Sequence, residues 1–293
     1  MAGDRGPVAG REVGRGPADA RSGQAWDHEA GTRAGVSAGS PRVIVYTCVT
    51  GGYDELLPPA HVDDGVEYLC FTDAGPVDAP PWKAVPVGLP HLSARDASRY
   101  VKMHPHRVLP PHELSVYFDG NVQVVGSLRD LIARARASDA AVFLYDHHSR
   151  RCAYDEAAAC VRYPKAWVWA VARTMRRYGA EGFPAGAGLY EANVIVRKSR
   201  ADAARLMETW WAEYARGARR DQLSLPYASW RTGVAIGSLG RSDPRHEQRT
   251  FRLLLHRGEL SPRPRLQRVV NRTVASLVGY RRLFGVAADP GLA

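Results

Sequence analysis

Short apolar runs alternate with amphipathic stretches along most of the chain, and turn residues separate them. Val43-Ile44-Val45-Tyr46-Thr47-Cys48-Val49, bounded by Pro41 and Gly51-Gly52, reads as a buried strand. A second strand is predicted at Val66–Phe71, ending in Thr72-Asp73, and a third near Trp82–Val87. Asp96–Met103 has helical spacing. Leu114–Phe118 is a further strand that runs directly into Asp119-Gly120-Asn121. Ser127 is a suitable N-cap for a helix over Leu128–Ala137, and Ala141–Tyr145 returns as a strand. Helices are predicted over Asp155–Arg162 and Pro164–Tyr178, the second opened by Pro164 and stopped by Gly179. A strand at Asn193–Arg197 and a helix at Ala201–Arg216 follow. Strands alternating with helices imply an α/β sandwich, a central and mostly parallel sheet flanked by helices. Ligands bind such sheets outside the carboxyl ends of the strands. Three predicted strand ends carry polar residues there: Gly51-Gly52-Tyr53-Asp54, Thr72-Asp73 and Asp119-Gly120-Asn121.

The patterning divides the chain into three. Residues 1–41 are rich in Gly, Ala, Arg, Ser and Asp, lack hydrophobic periodicity and are expected to be disordered. Residues 42–240 carry the α/β pattern. Residues 241–293 form a basic extension in which Leu266, Val269, Val270, Thr273, Val274, Leu277, Val278 and Phe284 recur at helical spacing among arginines. That basic amphipathic helix, over 262–284, either lies on an anionic membrane surface or packs its apolar face on the α/β domain.

Charge sharpens this division. The formal net charge is +10, of which residues 41–240 contribute only +3 and the tail +7. With a nearly neutral core and no recognised nucleic-acid motif, nucleic acid is not an expected partner. No apolar stretch is long enough to cross a bilayer, and the N-terminus has no signal-peptide core. A cytoplasmic location is expected, peripheral on the inner face of the plasma membrane if the tail helix docks there. Cys48, Cys70, Cys152 and Cys160 stand singly, without zinc-site spacing, as reduced thiols would. The dominance of Arg over Lys, with abundant Ala and Gly, points to a GC-rich bacterial genome.

The chemistry centres on Tyr117-Phe118-Asp119-Gly120-Asn121. An acidic residue leaving a buried strand, then Gly and a second oxygen-bearing side chain, suits a hard divalent cation that bridges a diphosphate. The same tripeptide is also ordinary turn chemistry.

Seven motifs in order carry a wider likeness: Tyr46–Asp54, Cys70–Asp73, Arg99–His106, Tyr117–Asn121, His147–Glu156, Gly188–Glu191 and Arg220–Ser224. Over residues 43–232 the chain resembles the TOD/MUCI-type glycosyltransferase-like family of the GT-A superfamily. The resemblance implies a glycosyltransferase using a nucleotide-sugar donor, a UDP-sugar foremost, with Mn²⁺ or Mg²⁺, and a glycan or lipid-linked acceptor. It implies that Gly51, Gly52 and Tyr53 cradle the nucleoside and that Asp73 bonds base or ribose, although Asp73 also suits a turn cap. It implies too that Arg99 and Lys102, three apart on one helical face, reach the diphosphate, the alternative being a solvated basic face. Asp119 and Asn121 occupy the Asp-x-Asp metal position, with a carboxamide in place of the second carboxylate. His256 or His246 would supply a late-sequence ligand. Asp221-Gln222 resembles the Asp-Gln element beside sugar and acceptor; Asp221 would orient the sugar or act as base, with Glu191 as the rival carboxylate. His147, Arg150, Tyr154 and Glu156 would shape the sugar or acceptor pocket or form a buried network. A catalytically idle nucleotide-sugar or glycan-binding module is the alternative reading.

Overall fold

A computed structural model of the chain describes residues 42–75, 77–255 and 265–286. The N-terminal segment 1–41 and His256 lie outside the described residues. In chain order the elements are β1 (Val43–Val49), β2 (Val66–Thr72), β3 (Lys83–Pro86), α1 (Ala94–Met103), α2 (Pro105–Val108), β4 (Leu114–Phe118) and β5 (Val122–Val124). There follow α3 (Arg129–Ala137), β6 (Val142–Asp146), α4 (Ala153–Arg162), α5 (Val168–Ala180), β7 (Tyr190–Lys198), α6 (Ala201–Arg216) and α7 (Asp221–Thr232). The last are β8 (Ile236–Ser238), β9 (Phe251–Leu253), α8 (Arg265–Val278) and α9 (Tyr280–Phe284).

The expected α/β sandwich with a mostly parallel central sheet is what the chain forms. The sheet has the order β3-β2-β1-β4-β7-β6-β8. β7 pairs antiparallel with β4 and β6, and every other pairing is parallel. The carboxyl ends of β1, β2, β4 and β6 therefore share one edge with the amino end of β7, which brings Glu191 to the same rim as Asp119. Period-two alternation sends Val43 and Val45 to one core with Leu131, Ile132 and Phe251. Ile44, Tyr46 and Cys48 join the other core with Val101, Met103, Leu206 and Trp210. Burial on both faces explains the unbroken apolar run of β1. A third cluster joins α4, α5 and α7 with Ala275, Leu283 and Phe284.

Several boundaries depart from the sequence reading, each for a tertiary reason. α5 opens at Val168, not at Pro164, because the Asn271 carboxamide of α8 accepts the Val168 N–H at 3.0 Å. A cap supplied from across the molecule thus replaces the local proline signal. Ser127 accepts from the Arg129 amide as expected of a cap, but Asp63 shares the task by accepting from the Leu128 amide at 2.7 Å. The tail also joins the fold: β9 pairs antiparallel with β5, and α8 braces α4 and α5 through Asn271, which donates to the Val161 and Ala166 carbonyls. α8 packs through Gln267, Asn271 and Ala275, with Val274 half-buried against the third cluster. Its other apolar residues Leu266, Val269 and Leu277 point away, at 69%, 60% and 81% exposure.

Candidate active site

The shared strand edge opens into a cleft of about 760 Å³. Its floor is a charge cluster assembled from three elements. Asp119 follows β4, Lys102 and Arg99 come from α1, and Asp221 starts α7. The fully buried Lys102 ammonium donates to Asp221 Oδ2 at 2.8 Å and to Asp119 Oδ1 at 3.2 Å. Arg99 Nε lies 3.3 Å from Asp221 Oδ2, and the Tyr117 hydroxyl donates to Asp119 Oδ1 at 3.0 Å. α1 is set by Ser93, which caps it by accepting the Asp96 amide, and by Asp96, which accepts from the Tyr214 hydroxyl and Arg219. Arg95, Arg99 and Lys102 then line the cleft together.

Burial alone would raise the Asp221 pKa, but Lys102, Arg99 and Arg220 outweigh it and hold the carboxyl well below the ordinary range. Glu191 is nearly as enclosed. Desolvation opposes its charge, yet the Ser242 hydroxyl at 2.7 Å, Arg245 at 2.8 Å and His148 at 2.6 Å keep its pKa lowered. Both carboxylates are therefore weak proton acceptors at neutral pH, suited to fixing cations. Arg95, Arg99, Lys102, Lys165, Arg220 and Arg245 line the cleft against Asp54, Asp119, Glu191 and Asp221, so its charge is positive. Arg220 Nε is buried there without a hydrogen-bond partner in the protein.

Of the nucleoside-side residues, Gly51 and Tyr53 line the cleft, and Tyr53 is half exposed. Gly51 has φ +64°, and a Cβ there would meet Ala94 Cβ at 2.9 Å, so the turn between β1 and α1 requires glycine. Gly52 (φ +62°) completes that turn but does not line the cleft. Asp73 braces that turn: its carboxylate accepts the Gly51 N–H at 2.9 Å, as its turn-cap reading has it. Gln222 lines the cleft beside Asp221.

Asn121 departs from the expected metal position. Its carboxamide nitrogen donates to the Leu254 carbonyl at 2.8 Å while its backbone carbonyl accepts the Leu254 amide, so it splices the end of β9 onto the sequence before β5. It does not line the cleft. His246 is exposed beside Arg241 and away from the cleft. Among the described residues no three His, Cys, Asp or Glu side chains converge as a metal cage. Of the expected ligands that the structure describes, Asp119 alone lines the cleft, and its Oδ1 already accepts from Lys102 and Tyr117. Asn121 and His246 do not fit the expected Mn²⁺ or Mg²⁺ site.

His147, Arg150, Tyr154 and Glu156 do not line the cleft either. Arg150 Nε donates to Glu156 Oε2 at 2.7 Å and its guanidinium faces His147 Nε2 at 3.2 Å. Burial, then the charge of Arg150, lowers the His147 pKa to about 4, so its ring is neutral. The Tyr154 hydroxyl donates to the Phe183 carbonyl in the core. This is the buried network of the two sequence readings; it reaches the cleft through Lys165, 3.6 Å from Glu156, and through His148, which stacks on His147 and bonds Glu191. Arg245, Lys165 and His148 were missed by the sequence reading. Arg245 meets Glu191 across 54 residues of chain, a pairing that no local spacing announces.

A family model for the TOD1/MUCI70 glycosyltransferase-like domain matches residues 79–238. The chain belongs to this glycosyltransferase-like family, and a glycosyltransferase-type function follows from it. Among solved structures, the bifunctional glycosyltransferase WbbM in its apo form is similar at 12% identity and a TM-score of 0.42, over 70% of this chain and 40% of that one. This chain thus spans less than half the length of that protein. No curated protein matches.

Proposed function

We propose that the chain transfers a sugar from a nucleotide-sugar donor, a UDP-sugar foremost, to a hydroxyl of a glycan or lipid-linked acceptor. The observation that carries this reading is the Lys102–Asp119–Asp221–Arg99 cluster on the floor of a positively charged cleft at the carboxyl edge of the sheet. The acceptor oxygen attacks the anomeric carbon, the bond from that carbon to the diphosphate oxygen breaks, and the departing nucleoside diphosphate carries away the hydroxyl proton. Negative charge grows on the leaving group, and fixed cations at that point stabilise the transition state. Arg99 and Arg220 meet the diphosphate, and Lys102 supplies a buried positive charge beneath it. The neutralising role that the resemblance assigns to Mn²⁺ or Mg²⁺ falls to these side chains. Asp119 and Asp221 are positioning residues that hold Lys102 and Arg99. Tyr53 lies where it can stack on the base, and Glu191 holds Arg245 at the opposite wall.

The acceptor is reached from an anionic membrane surface. α8 turns Leu266, Val269 and Leu277 outward beside the exposed Arg265, Arg268 and Arg272, and residues 265–286 contain no acidic side chain. An outward apolar stripe flanked by arginines suits a helix lying in the plane of anionic lipid.

Calorimetric titration with UDP tests the donor site. Binding that survives a chelator and is lost in Arg99→Ala is expected. Absence of nucleoside diphosphate binding by the folded protein, with or without Mn²⁺, would refute it.

A further inference from the structure

The sheet has a second opening at the amino end of β4, where Ser115 meets Arg197 of β7 and the start of α6. It is a cavity of about 250 Å³, partly open to solvent. Arg197 is 1% exposed and has no acidic partner among the described residues. One terminal nitrogen donates to the Lys102 carbonyl at 2.5 Å and the other to the Tyr46 hydroxyl at 2.7 Å. Arg197 lines the cavity, and its buried Nε has no hydrogen-bond partner among the described residues. Ser115 lines it too, and its fully buried Oγ is likewise unpartnered among them. A buried guanidinium without a counter-charge is costly, and two unpartnered polar groups on residues that line one cavity mark a place for a ligand.

The rest of the wall has the same sign. Ala201, Ala203 and Ala204 of the first turn of α6 line the cavity, so a sixteen-residue helix presents its amino end there, with Asp202 accepting the Ala203 amide at 2.9 Å. Lys198 lines it too, but its ammonium turns to the Arg136 and Ser138 carbonyls at the end of α3, on the other face of the sheet. Arg200 completes the wall and pairs with Asp202 at 2.7 Å, outside the lining. No Asp or Glu lines the cavity.

We propose that this cavity binds a small oxyanion, a phosphate or carboxylate group, between Arg197 Nε, Ser115 Oγ and the amino end of α6. The site is separate from the catalytic cleft and linked to it through Arg197, which donates to the carbonyl of Lys102 and lies over the ring of Tyr117. The volume admits a phosphate with a short carbon chain and is too small for a nucleotide. An occupied site would compensate the guanidinium and steady the backbone that carries the catalytic lysine.

His106 and His112 line this cavity and not the cleft, so their ring resonances report on it alone. Inorganic phosphate is titrated into the full chain at constant ionic strength, with chloride as the control, and the two ring signals are followed by NMR. Glycerol 3-phosphate and acetate in parallel distinguish a phosphate ester or a carboxylate from the free phosphate ion. Saturable movement with at least one of the three anions, kept in the cleft variant Arg99→Ala, is expected. Arg197→Met should abolish saturation, and Ser115→Ala should weaken it about fivefold, the loss of one hydrogen bond. If Arg197→Met does not fold, Ser115→Ala carries the test. Ring signals that move no more with any of the three than with chloride, or a Ser115→Ala variant that titrates like the wild type, would overturn the proposal.

Discussion

Two cations are buried to nearly the same depth, and their surroundings differ in kind. Lys102 sits between two carboxylates that it holds at 2.8 and 3.2 Å. Arg197, hydrogen-bonded to the Lys102 carbonyl, faces two tyrosine rings, at 5.6 and 5.9 Å from their centroids, and no carboxylate among the described residues. The first charge is compensated inside the protein, so it is fixed in place whether or not a ligand is present. The second is compensated only by dipoles, ring faces and whatever enters its cavity. A buried ion pair is weak evidence of stability but costly to break by halves. A buried cation without an ion partner has less to lose.

Exchanging each cation for an apolar side chain is the strongest test of that contrast. Lys102→Met leaves Asp119 and Asp221 to share Arg99, and should cost roughly 3–5 kcal/mol in urea denaturation. Arg197→Met removes two hydrogen bonds and a lone charge, and should cost about 1–2 kcal/mol. The reverse order would break the comparison.

Acid sharpens it next, because the networks titrate in different windows. His147 has a pKa of about 4 when folded, against an ordinary value near 6.5 in the unfolded chain. As pH falls from about 6.5 to 4, the unfolded chain takes up a proton that the folded one refuses, and stability should drop by about 3 kcal/mol. His147→Gln should flatten that part of the profile. Asp221, Glu156 and Glu191, all held low, should keep their contributions until the pH falls below about 4.

A neutral buried contact gives a third measure. Asn271→Ala leaves the Val168 amide and the Val161 and Ala166 carbonyls unsatisfied, and should cost about 2–3 kcal/mol by the same denaturation. The outward face of the same helix should behave oppositely. Leu266→Ser with Leu277→Ser should change stability by less than about 0.5 kcal/mol. It should nonetheless abolish co-sedimentation with phosphatidylglycerol vesicles. Vesicle binding that persists in that variant would remove the membrane from the account.

The elements that sequence made legible are those with local signals. β1, β4 and α6 begin and end at the predicted residues, because a continuous apolar run or a helical period fixes each. α7 was not legible. Its buried residues Leu223, Ser224, Leu225, Pro226 and Tyr227 follow one another without an amphipathic period, and Pro226 reads as a breaker. β5 and β9, three residues each, derive their pairing from partners well over a hundred residues apart. In the site, Arg99, Lys102, Asp119 and Asp221 were named from sequence and do converge. Asn121 and Asp73 were named with them, but each spends its side chain on the backbone beside it. The type of a residue announces what chemistry it can do; which neighbour claims its polar atoms first is decided by the tertiary fold.

The central claim is that the cluster around Lys102 and Arg99 receives the diphosphate of a nucleotide-sugar. Release of nucleoside diphosphate from a panel of nucleotide-sugars by the purified protein, beside folded Arg99→Ala, measures this most directly. The account predicts slow hydrolysis of at least one donor, undiminished by chelator and reduced on the order of 100-fold or more in the variant. Release that the variant matches, or no release and no binding of any donor by the folded protein, would contradict it.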